Sequence, residues 1–152
     1  MTYEEKYNYW ELISDYDIVT AQAMITAERW MYVATICYTA LARLIKGLLV
    51  YYTRKEAPKS DNLIFLINKL AGNPHFAASA AGIRFLAEKN AYFDKIADVT
   101  YYHITDYPFS YQKIMDRFIE AETARTVYAD TCEILSWLKS FRPSETPPHT
   151  MT

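Results

Sequence analysis

The chain has 152 residues, of which 51% are hydrophobic and 16% aromatic. That is enough apolar material for the core of one domain and too much for a disordered chain. The formal net charge of −2 excludes the global basic excess of a duplex-DNA binder, so any nucleic-acid contact has to come from a local patch.

Taken in chain order, the segment from Met1 to Trp10 is acidic and aromatic and lacks the basic and apolar regions of a secretory leader. A first helix is expected from about Tyr7 to Thr26, with Trp10, Ile13, Tyr16, Thr20 and Met24 along one side. The chain has to break near Ala27–Arg29, because an unbroken helix to Tyr52 would be about 65 Å long at 1.5 Å per residue. The second helix, Trp30–Tyr52, carries the strongest signal. Val33, Cys37, Ala40, Leu44, Leu48 and Tyr51 fall within about 80° of one another, which is the stripe of a core helix. Arg54–Ser60 reads as a polar link. Ser60 or Asp61 can cap a short third helix through Leu70, with Gly72 as its stop and Asn73-Pro74 beyond. A fourth helix is expected over roughly Ala80–Tyr101, with Leu86, Phe93, Ile96 and Ala97 inward. A fifth runs from about Ser110 to Phe141, where Ile114, Phe118, Ala121, Tyr128 and Cys132 share a face.

No run alternates apolar and polar residues for long, and prolines fall between the periodic segments. The expectation is an all-α, up-and-down bundle of about five helices: a single domain over residues 1–142 and a mobile, proline-rich tail over 143–152. Cys37 and Cys132 lie far apart in apolar helical patterns, which suits two reduced thiols and a cytoplasmic setting. Met31–Tyr52 is long enough to span a membrane, but Thr35, Thr39, Arg43 and Lys46 interrupt it, so no membrane association is expected.

Residues able to carry chemistry are few. Arg43 and Lys46 sit on the shoulder of the second helix, where a fixed cation pair can hold an anion or a partner's carboxylates. Arg125 falls within the apolar stripe of the fifth helix, between Ala121 and Tyr128. A guanidinium there needs a carboxylate, a carbonyl cluster or a bound anion. An internal salt bridge, a reach past the core edge to water, a phosphate contact and a dimer contact all satisfy it. Histidine's unperturbed pKa lies near neutrality, which makes His103 a candidate general base, although a lone loop histidine more often serves as a surface or capping group. No pair among His75, His103 and His149 has metal-ligand spacing and neither cysteine supplies a paired ligand, so no metal or cofactor is expected. Fourteen tyrosines offer faces for stacking on bases, yet tyrosines at helical spacing usually line a core margin. A phosphate-cradling glycine loop, a nucleophile elbow and an HExxH helix are all missing from the sequence.

Several short patterns occur in one order: Tyr9-Trp10, Asp15–Ala23, Tyr38–Leu49, Ser60–Leu63, Asp106-Tyr107-Pro108 and Ile134–Lys139. In that order and spacing the chain resembles the HEPN family, the nucleotide-binding domain of higher eukaryotes and prokaryotes, over nearly its whole length to about residue 140. The resemblance implies a helical bundle that is often dimeric. It also implies, for prokaryotic members, a neighbouring nucleotidyltransferase in a toxin–antitoxin pair. Some members are metal-independent ribonucleases built on an Arg and a His separated by a short spacer. This sequence departs from that pattern. Ala42-Arg43 replaces a Glu-Lys pair, although Lys46 matches the downstream lysine. Asp61 replaces the His before Asn-Leu, and Asp106 replaces the Arg of Arg-Tyr-Pro. Arg142 and His149 have the ribonuclease spacing, but in a tail that cannot hold two groups in a fixed geometry.

The expectation is therefore a cytoplasmic HEPN-like protein, a homodimer, that binds nucleotide or RNA or partners a nucleotidyltransferase, without the standard ribonuclease motif. Arg43, Lys46 and Arg125 would converge on a groove, with Tyr128 beside it and Tyr107 and His103 at its mouth. A divergent ribonuclease using His103 as base and Arg125 as clamp, and a non-catalytic dimerisation module, are the alternatives.

Overall fold

The hydroxyl of Thr2 opens the bundle. In the computed structural model, which describes residues 1–103 and 121–144, Thr2 Oγ1 accepts from the Glu5 amide at 3.0 Å while the Glu5 carboxylate accepts from the Thr2 amide at 2.7 Å. This reciprocal cap satisfies two orphan donors and starts helix α1 at Tyr3, earlier than the apolar periodicity suggests. Helix α1 ends at Thr26. The break expected near Ala27–Arg29 is present, made without glycine: Glu28 adopts φ 58°, and the Arg29 amide reaches back to the Met24 carbonyl at 2.8 Å. A left-handed residue other than glycine costs roughly 1–2 kcal/mol. A 3₁₀ turn, Trp30–Tyr32, then leads into α2, Val33–Thr53.

Helix α2 is the axis of the fold. Val33, Cys37, Ala40, Leu44 and Leu48 are fully buried, as the stripe implied, and the helix is enclosed on several sides by its neighbours. By length and apolar composition Trp30–Thr53 passes as a membrane span, but 78% of that window is buried inside the bundle. Helix α1 packs antiparallel against it. Ser14 Oγ donates to the Ala40 carbonyl at 2.8 Å, and Gly47 admits the Trp10 side chain so closely that an added Cβ would sit 2.8 Å from Trp10 Cβ.

After the link, Asn62 rather than Ser60 or Asp61 caps α3, Leu63–Ala71, accepting from the Phe65 amide at 2.9 Å. Gly72 terminates it. A short helix α4, Pro74–Ala78, follows with Asn73 as cap and Pro74 in the first turn, so the proline begins an element instead of only separating two. Ser79 caps α5, Ala80–Glu88, through the Gly82 amide.

The expected fourth helix is divided. A 3₁₀ turn, Lys89–Tyr92, separates α5 from α6, Phe93–Tyr102, and the buried face lies one residue earlier than the expected one. Phe85, Ile96 and Val99 are buried, whereas Leu86 is 38% and Phe93 55% exposed and Ala97 is also exposed. The same one-residue rotation affects the last helix, α7, Ala121–Lys139. Its buried face is Ala124, Val127, Thr131, Ile134, Leu135 and Leu138, with Ala121, Tyr128 and Cys132 only half-buried. On α1 the inner residues are Tyr7, Ser14, Asp17 and Ala21, and Tyr16 points to solvent. Ile114, Phe118 and the start of the fifth helix lie outside the described residues, as does the tail from residue 145.

Helices α2 and α7 run parallel. Tyr52 Oη donates to the Phe141 carbonyl at 2.7 Å at one end, and Arg125 lies over Trp30 at the other. Between them Cys37 and Cys132 are both free thiols. Burial pushes the Cys37 thiol up to about 12, against a hydrogen bond from Thr131 that lowers it, with Cys132 adding to the rise. One end of the bundle is aromatic: Phe85 stacks on Trp137 with centroids 5.0 Å apart and meets Phe76 and Phe141 edge-on. Trp137 Nε1 donates to Glu88 at 2.9 Å, which satisfies the indole at the core margin. Among the described residues there is no strand. The fold is all-α, a helical bundle.

Candidate functional site

The cations singled out on α2 acquire their surroundings from segments distant in sequence. Because α1 runs antiparallel and approaches through Gly47, Trp10 is brought beside Lys46, whose Nζ lies 5.9 Å from the ring centroid. From the other side the link before α3 brings Asp61, whose Oδ1 is 2.6 Å from the same Nζ. The Lys46 side chain is 10% exposed and that of Asp61 73%. The pair is therefore a buried cation closed by a hydrated acid.

One turn earlier, Arg43 Nη1 donates to both carboxylate oxygens of Asp17, at 2.9 and 3.0 Å. Asp17 is the more enclosed partner. Burial raises its carboxyl above the ordinary aspartate range even though the Arg43 guanidinium acts to lower it. The folded state therefore holds the proton more tightly than the unfolded chain. In the window between the ordinary aspartate value and the raised one, stability from this group is greatest at low pH and falls as pH rises. Asp17→Asn removes that dependence. Urea midpoints followed from acid to neutral pH should show wild type losing stability relative to Asp17→Asn as the pH climbs; parallel profiles would contradict the burial effect.

Arg43 and Lys46 are neighbours at i, i+3, so the structure brings two cation–carboxylate pairs together on one flank. Lys46 also shares an i, i+4, i+8 ridge with Ala42 and Tyr38. His103, at the end of α6, stacks on Tyr38 with ring centroids 4.0 Å apart and planes 6° from parallel. The Tyr38 hydroxyl in turn accepts from the Leu63 amide at 3.0 Å. The 61–63 segment thus touches the ridge at both Tyr38 and Lys46, levels roughly 12 Å apart at 1.5 Å per residue.

Arg125 does not join this group. It is exposed rather than set in the apolar stripe, because the buried face of α7 is rotated by one residue, and its guanidinium lies 5.0 Å from the centroid of Trp30. That level of α2 is roughly 20 Å along the axis from Arg43. It is also about two turns from the Tyr38 level on which His103 stacks. Tyr128 is half-buried and packs against the core. Its pKa is raised by burial and then by a hydrogen bond with Cys132. Tyr107 lies outside the described residues.

Two clefts of opposite character flank the bundle. Between α6 and α7, about 280 Å³ is lined by Asp98, Glu122 and Asp130, the wrong sign for a polyanion. Beyond the end of α2, about 390 Å³ is lined by Lys55, Lys69, Asn68 and Asn73, with Glu56, whose charge is taken up by Lys6, also on its wall. Among the described residues neither Lys55 nor Lys69 has an ion pair. The link that carries Asp61 also borders this basic cleft. Among the described residues no three of His, Cys, Asp and Glu are grouped to hold a metal ion.

Sequence reasoning found both cations but not what holds them. Trp10, Asp17 and Asp61 all lie in the segments whose order carries the family resemblance, and that was the available signal. No curated protein and no solved structure matches the chain significantly. The sequence model of the HEPN domain matches residues 7–141, a span that takes in both cations, all three of these partners and the aromatic end of the bundle. The chain belongs to the HEPN domain family.

Proposed function

We propose that this protein binds RNA or a nucleotide through the Lys46 flank of α2. The carrying observation is the Lys46–Asp61 pair, in which an enclosed lysine is held by an aspartate that is 73% exposed. Water already hydrates Asp61, so swinging it away costs little, whereas Lys46 is fixed by its helix and by Trp10. A phosphate oxygen takes the vacated position in a charge-assisted hydrogen bond. The lysine-lined cleft at the other end of the link extends the favourable field beyond a single phosphate. This local patch is what a chain of net charge −2 needs for such a ligand.

HEPN membership supports a nucleotide- or RNA-related role in general. Within it, the protein acts in the cytoplasm beside a nucleotidyltransferase, as one half of a toxin–antitoxin-type pair. It acts without the standard ribonuclease motif, since Asp61 and Asp106 replace family residues. Thermal melting with short single-stranded RNA and with ATP tests the binding reading. A ligand at about a hundred times its Kd stabilises the folded state by about 2.7 kcal/mol, which raises the melting temperature by several degrees. Lys46→Met keeps the stem packing and leaves only a hydrated aspartate unpaired, so it should fold and show no such rise. An equal rise in wild type and Lys46→Met would reject the site.

A further inference from the structure

The corner where α1 turns into α2 gathers charges of both signs around aromatic rings. Five consecutive residues, Glu28, Arg29, Trp30, Met31 and Tyr32, line a hollow of about 170 Å³. From α7 the Arg125 guanidinium lies over Trp30, 5.0 Å from the ring centroid. Tyr32 is 44% exposed, and Glu28, Arg29 and Arg125 are all exposed. Among the described residues none of these three charges has an ion pair, although two are adjacent in sequence and opposite in sign. Arg43 and Lys46, by contrast, each close on an acid of their own. The turn is also strained. Glu28 holds φ 58°, where glycine or asparagine costs less, and strain of this kind clusters at ligand sites.

The hollow is smaller than the ~300–1,000 Å³ that takes a drug-sized ligand and suits one flat ring system. We propose that this corner binds the guanine ring of a nucleotide and selects it over the other bases. The ring stacks on the exposed face of Tyr32. Glu28, an acceptor only when ionised, takes the N1–H and the exocyclic N2–H of guanine, two parallel donors for two carboxylate oxygens. No other base offers that edge. Adenine and cytosine set a ring-nitrogen acceptor against the carboxylate, and uracil flanks its one donor with two carbonyls. The indole face holds Arg125 in place without neutralising it, so Arg125 and Arg29 stay charged and take the phosphate of the same nucleotide. Trp30 lies roughly 24 Å from Lys46 along the helix axis. The inference therefore goes beyond the phosphate contact proposed there, since a lysine on a phosphate cannot tell one base from another.

Calorimetric titration of the full chain with GMP and with AMP, at one fixed ionic strength, tests the assignment. GMP should bind at least about tenfold more tightly than AMP. Glu28→Gln keeps the side-chain length and the backbone demand at this position but loses the charge and one acceptor, so it should erase that preference. Arg125→Gln should weaken GMP by about tenfold and leave guanosine, which has no phosphate, unchanged. Both positions are exposed, so the variants should melt as cooperatively as wild type. The preference for GMP has to survive Lys46→Met. A short uridine strand carrying one guanosine, compared with the same strand carrying adenosine there, separates a nucleotide within RNA from a free one. A guanine preference in either pair that is lost in Glu28→Gln supports the site. Absence of a guanine preference in both pairs overturns it, whether neither ligand binds or both bind equally. So does a preference that persists in Glu28→Gln, or a loss in Arg125→Gln that is as large for guanosine as for GMP. An all-uridine strand reads the Lys46 flank without engaging this corner, so failure of either proposal is seen separately.

Discussion

Replacing Gly82 with alanine is expected to destabilise the protein by about 3 kcal/mol or more, lowering the melting temperature by roughly 10 °C. A Cβ at Gly82 would lie 1.7 Å from the Phe76 carbonyl oxygen and 2.5 Å from its carbonyl carbon, with Ala77 Cα at 2.9 Å. All three are backbone atoms. No rotamer change relieves the clash, so α5 has to move away from α4 and take Phe85 with it. Gly72→Ala is the matched control. Its nearest contact is the Asn68 carbonyl oxygen at 3.1 Å, and its φ of −85° suits any residue. There the gain from restricting the unfolded chain offsets a small shift, and the change should stay within about 1 kcal/mol. Comparable denaturant midpoints for the two variants would contradict the described crossing of α4 and α5.

Phe85→Ala should cost about 3–5 kcal/mol. The ring is fully buried and is the common neighbour of Phe76, Trp137 and Phe141. Deleting it opens a void that three large rings, one on α4 and two at the end of α7, cannot collapse to fill. Leu86 is adjacent in sequence yet 38% exposed, and Phe93 is 55% exposed, so Leu86→Ala and Phe93→Ala should each cost less than about 1 kcal/mol. The ranking of the three variants by urea denaturation reads the phase of this segment directly. An inward face carrying Leu86 and Phe93 requires the reverse order.

These contrasts show where the sequence was informative and where it was silent. Helix α2 was legible because its apolar residues recur at helical spacing and it is enclosed by its neighbours, so the stripe and the burial coincide. The polar link and the stop at Gly72 follow from local chemistry, and the structure agrees with both. Helix α1 was misread in phase because it is apolar on both sides. The exposed row of Tyr9, Leu12, Tyr16 and Val19 competes with the true inner face, whose members include Ser14 and Asp17. Those polar groups tolerate burial only because Ala40 and Arg43 satisfy them, and such tertiary partners leave no mark on periodicity. The 3₁₀ turn at Lys89–Tyr92 contains neither proline nor glycine, so the break between α5 and α6 had no local signal. At the site, charge and spacing located Arg43 and Lys46. Their acids come from another helix and from the link, and Arg125 looked enclosed only because the face of α7 was set one residue out of register.

The ion pairs on α2 give the binding account its sharpest consequence. If Asp61 is the counterion that a phosphate displaces, removing its charge has to help the ligand, whereas removing Lys46 has to harm it. Equilibrium titration of short single-stranded RNA, at one fixed ionic strength because phosphate contacts are salt-dependent, measures both. Asp61→Asn should bind more tightly than wild type, by roughly tenfold for a competing carboxylate removed, while Lys46→Met should lose binding. Affinity that is unchanged or weaker in Asp61→Asn would contradict the displacement of Asp61 by a phosphate at Lys46.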